Sequence, residues 1–389
     1  MGFRILTLNS ISARGLELLP RDAYEVGVRI DSPHAVLVRS HDMHKIALPA
    51  SVLAVARAGA GTNNIPVAAL TQRGVPVFNA PGANANAVKE LVIAGLLLAA
   101  RHVCEAWAFV RELNGDAAAI EAAVEVGKKR FVGYELPGRT LGVIGLGAVG
   151  VEVANAGHAL GMKVLGYDPQ ITVQRAWQLS SGVEQALSVE DLMSRADFVT
   201  LHVPASASTR GLLNAARLKL LKKGAVLLNF ARAEVVVEAD VLAALDAGEL
   251  SAYVTDFPTP ASKNHPHVVA LPHLGASTGE AEENCAVMVV ETLREFLESG
   301  NLRHSVNFPE AVLPRLPGTY RLVIANANVP NMVGQISTAL AAAGLNIDDL
   351  LNKSRGDVAY TIIDTNSPLP AEILARVRAI TGVLSARLL

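Results

Sequence analysis

Cysteine is almost missing from this chain: Cys104 and Cys285 are the only two in 389 residues. They stand far apart in alanine-rich, helix-like surroundings, too few ligands for a disulfide framework or a zinc site, and a reducing cytoplasm is the expected compartment. An excess of one charge is missing as well. Thirty-four basic residues against thirty-six acidic ones leave a formal net charge of −2, and no basic tract exceeds Lys128-Lys129-Arg130. Nucleic acid and anionic membrane are therefore not expected partners. Long apolar runs are absent too. The most apolar stretch, LVIAGLLLAA at 91–100, falls short of the roughly 18 residues a membrane span requires. The opening MGFRILTLNS reads as a strand without the apolar region of an export signal, so a soluble protein is expected.

The length suits two or three domains at about 150 residues each. Over residues 1–95, short apolar runs (FRILTL, AVLVR, LAVARAG, VPVFNAP) alternate with helix-compatible stretches, the pattern of a parallel α/β layer. A second series begins at TLGVIGLG and continues through MKVLGYD, DFVTLHVP, AVLLNFAR and VVALPHLG, spaced as βαβ crossovers require. The periodic stretch 279–301 predicts a helix with a Gly300-Asn301 stop, returning the chain to the first domain. Pro309, Pro314 and Pro317 mark a linker at 309–318. Residues 319–389 read as a βαββαβ unit. The expected fold is α/β: a first domain of 1–95 with 280–308, a Rossmann-like domain of 96–279, both doubly wound on parallel sheets, and a ferredoxin-like C-terminal domain.

The strand TLGVI runs straight into Gly145-Leu146-Gly147-Ala148-Val149-Gly150 and then into a helix-like segment. That context turns a weak pattern into a dinucleotide fingerprint: the glycines allow a tight turn and close backbone approach to a pyrophosphate, whose charge rests on the helix N-terminus. Asp168 closes the next strand, where a carboxylate would accept from both adenosine ribose hydroxyls and repel a 2′-phosphate. NAD is the expected cofactor, with Arg175 near enough to leave NADP open. No metal is expected: His41 and His44 have no ligand cluster beside them, and His265 and His267 flank Pro266 in a loop.

Arg232 follows a buried-type strand and would project from its C-terminal end, where open α/β sheets bind ligands. There a guanidinium can hold a carboxylate by two parallel bonds and polarise an adjacent carbonyl; a salt bridge to Glu234 or Glu238 is the ordinary alternative. Asn229 beside it could order the loop. Arg57, with Gly59, and Arg39-Ser40 close strands of the first domain and together suit a phosphorylated acid, while NAPGANANAVKE, 79–90, offers backbone N–H groups to a carboxylate. His273 ends VVALPH and is the best general acid/base among ten histidines, because imidazole titrates near neutrality.

These residues together resemble the D-2-hydroxyacid dehydrogenase family, in particular its branch that opens serine synthesis. The likeness is carried by VARAGAGTNNI, the 133–150 segment, LHVP, NFAR and PHLGAST. NANVPNMVGQIS, GLNI and the closing GVLSARLL resemble an ACT regulatory domain. The resemblance implies NAD-dependent oxidation of 3-phospho-D-glycerate to 3-phosphohydroxypyruvate. Arg232 would polarise the substrate and His273 carry the proton, while Arg39, Ser40, Arg57, Gly59, Asn79 and Gly82 would hold the substrate. His202, Pro204, Thr209, Ala231 and Gly275 would border the cofactor, and Asp256 would contact the nicotinamide carboxamide. Asn328 and Asn346 would bind serine as a feedback effector between subunits of a homo-oligomer, a dimer or tetramer.

Three departures stand out. The family's DVFxxEP becomes TDFPTP, one residue shorter, with Pro260 where a glutamate would orient His273. Arg232 is followed by Ala233-Glu234, and Asn331 replaces a glycine of the regulatory loop. A dehydrogenase for an unphosphorylated acid, such as a glyoxylate or hydroxypyruvate reductase, and a weakly catalytic NAD and amino-acid sensor are the rival readings.

Overall fold

Short apolar strands separated by helices can pair in parallel only through crossovers, and the chain does this twice. In the computed structural model, which describes residues 2–389, the first sheet is built from β1 (Phe3–Leu8), β2 (Tyr24–Gly27), β3 (Ala35–Val38), β4 (Ala54–Arg57) and β5 (Val77–Phe78). Its order is β2-β1-β3-β4-β5, and every neighbour runs parallel.

The second sheet comprises β6 (Thr140–Ile144), β7 (Lys163–Tyr167), β8 (Val183–Gln185), β9 (Phe198–Leu201), β10 (Ala225–Asn229), β11 (Leu250–Thr255) and β12 (Val268–Ala270). These lie in the order β12-β11-β10-β9-β6-β7-β8, again all parallel. Strand order therefore reverses between β6 and β9, the switch point at which doubly wound sheets open a crevice at their carboxyl ends. Helices cover both faces, so β9 and β10 are buried along their whole length.

The C-terminal sheet is antiparallel. It consists of β13 (Tyr320–Ala327), β14 (Ile347–Arg355), β15 (Val358–Thr365) and β16 (Val383–Leu388), in the ferredoxin-like order β14-β15-β13-β16. Side chains alternate across a strand, which explains why β13 is buried almost throughout. Leu322 and Ile324 face the helices Met332–Ala341 and Ala371–Arg378, in a core with Ile336, Leu340 and Ile373. Val323 and Ala325 face the opposite way and share a core with Phe296, Phe308 and Ile5 of the first sheet's region.

The chain divides into two compact units, one of residues up to Asn84 with Gly279–Leu389 and one of Ala85–Thr278. The helix Ala85–Arg101 thus belongs wholly to the second unit, and the expected boundary at residue 95 falls inside it. The C-terminal sheet is part of the first unit, and 309–318 is not a loose tether: Phe308 and Leu313 are buried, Leu302 bridges Ala311, and Leu313 N donates to Asn301 Oδ1 at 3.1 Å. Arg321 fixes the arrangement. Fully buried, it grips Asp364 through Nε and Nη2, each at 2.6 Å, and donates from Nη1 to the carbonyls of Ser299 and Leu313. No single helix among the described residues is long and apolar enough to cross a membrane.

Candidate active site

In the second unit the fingerprint glycines sit where β6 gives way to the helix Ala148–Ala159, each with a different constraint. Gly145 has φ +93°, and a Cβ built on it would lie 2.6 Å from the His202 carbonyl oxygen, so only glycine is accommodated. A Cβ on Gly150 would meet the Gly145 carbonyl at 1.8 Å. At Gly147, the helix N-cap, nothing lies within 4 Å of such an atom and no side chain caps the helix. Open space over free helix N–H groups is what a pyrophosphate requires. Asp168 follows β7, its Oδ2 accepting from Leu146 N and its Oδ1 from Gln170 N, both at 2.9 Å. That carboxylate is thereby fixed beside the turn, and Arg175 is engaged with Gln178 at 2.8 Å. These residues fit NAD.

His202 and Pro204 continue β9. The His202 ring meets Thr200 Oγ1 at 2.9 Å, and burial lowers its pKa to about 3, so it is neutral at physiological pH. Thr209 is spent locally: its hydroxyl donates to the Pro204 carbonyl and accepts from Ser206 N at 2.8 Å.

Three strands adjacent in the sheet, β10, β11 and β12, carry the candidate residues Arg232, Asp256 and His273 just beyond their carboxyl ends. Asn229, fully buried at the end of β10, accepts from Ala231 N and donates to the Arg232 carbonyl at 2.9 Å. This shapes the turn so that Ala231 is buried and Arg232 exposed. Arg232 donates to the Ala231 carbonyl at 2.6 Å, and no carboxylate of Glu234 or Glu238 holds it; Glu238 binds Thr259 instead. Asp256, just beyond β11, is 1% exposed and neither of its carboxylate oxygens has a hydrogen-bond partner. Burial raises its pKa, opposed by the charge of His273, then by the polarity of the Gly275 N–H, which lies outside hydrogen-bond geometry, and by Arg232. His273, beyond β12, is exposed and packs edge-on against Phe257 at 5.0 Å between ring centroids.

Where relatives of the expected kind would carry a glutamate, Pro260 lies in a turn that binds itself. Thr259 N donates to Ser262 Oγ at 3.0 Å and Ser262 N to Thr259 Oγ1 at 3.2 Å. Among the described residues no carboxylate hydrogen-bonds His273; Asp256 is a carboxylate on which the charge of His273 acts. The Phe257 contact has no signature in the sequence, because a phenylalanine after Asp256 carries no signal of where its ring turns.

The first unit holds the remaining candidates. Val38 and Arg57 pair at the ends of β3 and β4, and Arg57 Nε donates to the Arg39 carbonyl at 3.0 Å. Gly59 lies under the Arg57 guanidinium; a Cβ there would come 2.6 Å from Nη1. Arg39 forms an ion pair with Glu282, a partner not apparent from sequence, and Ser40 is exposed. Asn79 donates to the Ala60 carbonyl, and Gly82 has φ +82°. In the C-terminal sheet Asn328 donates to the Gly356 carbonyl at 2.9 Å and Asn346 to Asp348 at 3.3 Å, both residues exposed.

Residues 93–275 match the family model for the NAD-binding domain of D-isomer specific 2-hydroxyacid dehydrogenases. The D-3-phosphoglycerate dehydrogenase of Haemophilus influenzae is 35% identical over 85% of this chain and 79% of its own length. That of Escherichia coli K12 is 33% identical over 95% and 87%. Of the Methanocaldococcus jannaschii enzyme of the same name, 35% identical, the chain spans about half (52%). Among solved structures, a glyoxylate reductase from Paecilomyes thermophila aligns with TM-score 0.63 at 25% identity, over 78% of this chain and 98% of that one. The fold alone is shared with an NAD+-bound 3-phosphoglycerate dehydrogenase of Entamoeba histolytica, TM-score 0.61 at 24% identity over 79% and 99%. With this agreement between fingerprint, sheet order and relatives, the chain belongs to the D-isomer specific 2-hydroxyacid dehydrogenase family and is an NAD-dependent oxidoreductase.

Proposed function

We propose that the enzyme oxidises 3-phospho-D-glycerate at C2 to 3-phosphohydroxypyruvate. The observation that carries this reading is the convergence of Arg232, Asp256 and His273 on the carboxyl ends of three neighbouring strands, with a buried, unpartnered carboxylate beside the histidine. Arg232 holds the substrate carboxylate and stabilises charge developing on the C2 oxygen. His273 takes the C2 hydroxyl proton on a ring nitrogen. Asp256 stabilises the imidazolium so formed, because in its buried setting an opposite charge is weakly screened. Bound NAD supplies the acceptor for the C2 hydride. Gly145, Gly147, Ala148, Val149 and Gly150 hold its phosphates and Asp168 its ribose, with His202, Pro204, Thr209, Ala231 and Gly275 at its border.

Arg57 and Arg39 hold the phosphate and help Arg232 with the carboxylate, supported by Ser40, Gly59, Asn79 and Gly82. The curated relatives named above support this substrate by name. L-Serine is the proposed effector, acting at Asn328 and Asn346 of a homo-oligomer. The deciding experiment follows NADH formation with 3-phosphoglycerate, with D-glycerate and with added serine. Turnover confined to the phosphorylated acid is expected; equal rates on both acids would overturn the phosphate assignment, and tight NAD binding without turnover would favour a sensor.

A further inference from the structure

The shared core between the C-terminal sheet and the rest of its unit leaves a cavity of about 510 Å3, within the range of small-molecule sites. One wall is the segment around Arg73–Pro76, another is Phe296, and the third is β13, β16 and Arg378 of the C-terminal sheet and its last helix. Three arginines line it, Arg73, Arg378 and Arg387, and not one aspartate or glutamate does.

None of the three is neutralised. Arg73 donates to the carbonyls of Leu48 and Pro49, Arg378 to that of Ala386, and Arg387 to those of Phe296 and Leu297. Carbonyls orient a guanidinium without cancelling its charge, and a guanidinium has five N–H donors, of which each of these spends two. Arg387 also lies 4.6 Å from the Phe296 ring centroid, and burial weighs against its charge. Elsewhere in the unit, exposed arginines such as Arg14 and Arg303 find carboxylates. Three cations gathered round a cavity without an acid make a receptor that a counter-ion completes.

We propose that this cavity binds a small organic anion, with a carboxylate or phosphate head toward Arg73, Arg378 and Arg387 and a short apolar body against Phe296, Val323 and Leu384. An amino acid is disfavoured, since its ammonium would meet no acid in the lining. The site is thus distinct from the serine-binding role assigned to Asn328 and Asn346. Because its walls come from both the N-terminal segment and the C-terminal sheet, an occupant ties the two together and stabilises the folded chain.

The test is calorimetric titration of the full-length protein at constant ionic strength with butyrate, inorganic phosphate and L-serine. Butyrate and phosphate distinguish the two head groups, and binding of either is expected, with serine about tenfold weaker or more. Arg73→Gln with Arg378→Gln should weaken the anion about tenfold or more while NAD binding persists, which also reports that the variant is folded. Arg232→Gln should leave the anion's affinity unchanged. No binding of either anion by the unaltered protein, undiminished binding by the double variant, or loss with Arg232→Gln, which would place the anion in the dehydrogenase site, overturns the proposal.

Discussion

The carboxylate of Asp256 is buried with both oxygens unpaired, and its titration is set by burial on one side and by the charge of His273 on the other. In the free protein the acid therefore opposes folding when ionised, and under the proposed mechanism the same charge would assist the imidazolium. A carboxyl group raised in the folded state favours folding below its ordinary titration range, near pH 4, and loses that advantage as pH rises through the raised value. Asp256→Asn should accordingly melt higher than the unaltered protein at pH 7 to 8, by about 2 °C or more, with the difference vanishing below about pH 4. Turnover should fall about 100-fold. Melting curves across pH beside steady-state rates check both halves, and a variant that is both less stable and fully active refutes the assignment.

The glycines of the fingerprint separate folding from binding. Gly147→Ala places its methyl in open space and should leave the melting temperature unchanged while weakening NAD about tenfold or more. Gly150→Ala sets its Cβ against the Gly145 carbonyl and should destabilise by about 2 kcal/mol or more. Fluorescence titration with NADH and thermal melts of the two variants distinguish the effects.

Two histidines of the same unit should behave oppositely. His202, with a pKa near 3, does not titrate over the working range, so His202→Gln should raise the KM for NAD and leave the shape of the pH–rate profile intact. His273→Ala should still bind NAD but lose about 100-fold or more in kcat and flatten that profile. Wild-type rates for His273→Ala between about pH 6 and 9 would refute its role as proton carrier.

Arg321 and Asp364 form a buried pair whose members depend on each other. Arg321→Met alone strands a buried carboxylate and should cost about 3–5 kcal/mol. Combining it with Asp364→Leu should recover much of that loss, because two apolar side chains of similar volume leave no orphaned charge. Denaturant titration of the two single variants and the double variant gives the coupling directly.

Much of this was legible in the chain, for identifiable reasons. Strand and fingerprint signals are local, so TLGVIGLGAVG and Asp168 announced their geometry, and Asn229 was rightly read as ordering the Arg232 loop. Asn331 is instructive. It occupies a left-handed position, φ +65°, that asparagine tolerates better than most residues, so the exchange of a glycine for it is conformationally mild. Pairings across long sequence separations were not legible: Arg39 with Glu282, Arg321 with Asp364, and the three arginines of the cavity depend on which surfaces the topology brings together. The proline-rich segment misled for a related reason. Its prolines rule out regular structure, but they say nothing about whether Phe308 and Leu313 find a core.

That core also bears on how the protein can be cut in the laboratory. Deleting residues 319–389 would not leave a trimmed dehydrogenase, because Phe296, Phe308, Leu297 and Leu302 would lose the β13 and β15 side chains that cover them, and the carbonyls of Ser299 and Gly300 would lose Arg321 and Tyr360. A detachable regulatory module needs a finished surface on each side of the cut. Here neither side has one, so within this chain residues 319–389 and the core they cover fold, and fail, together.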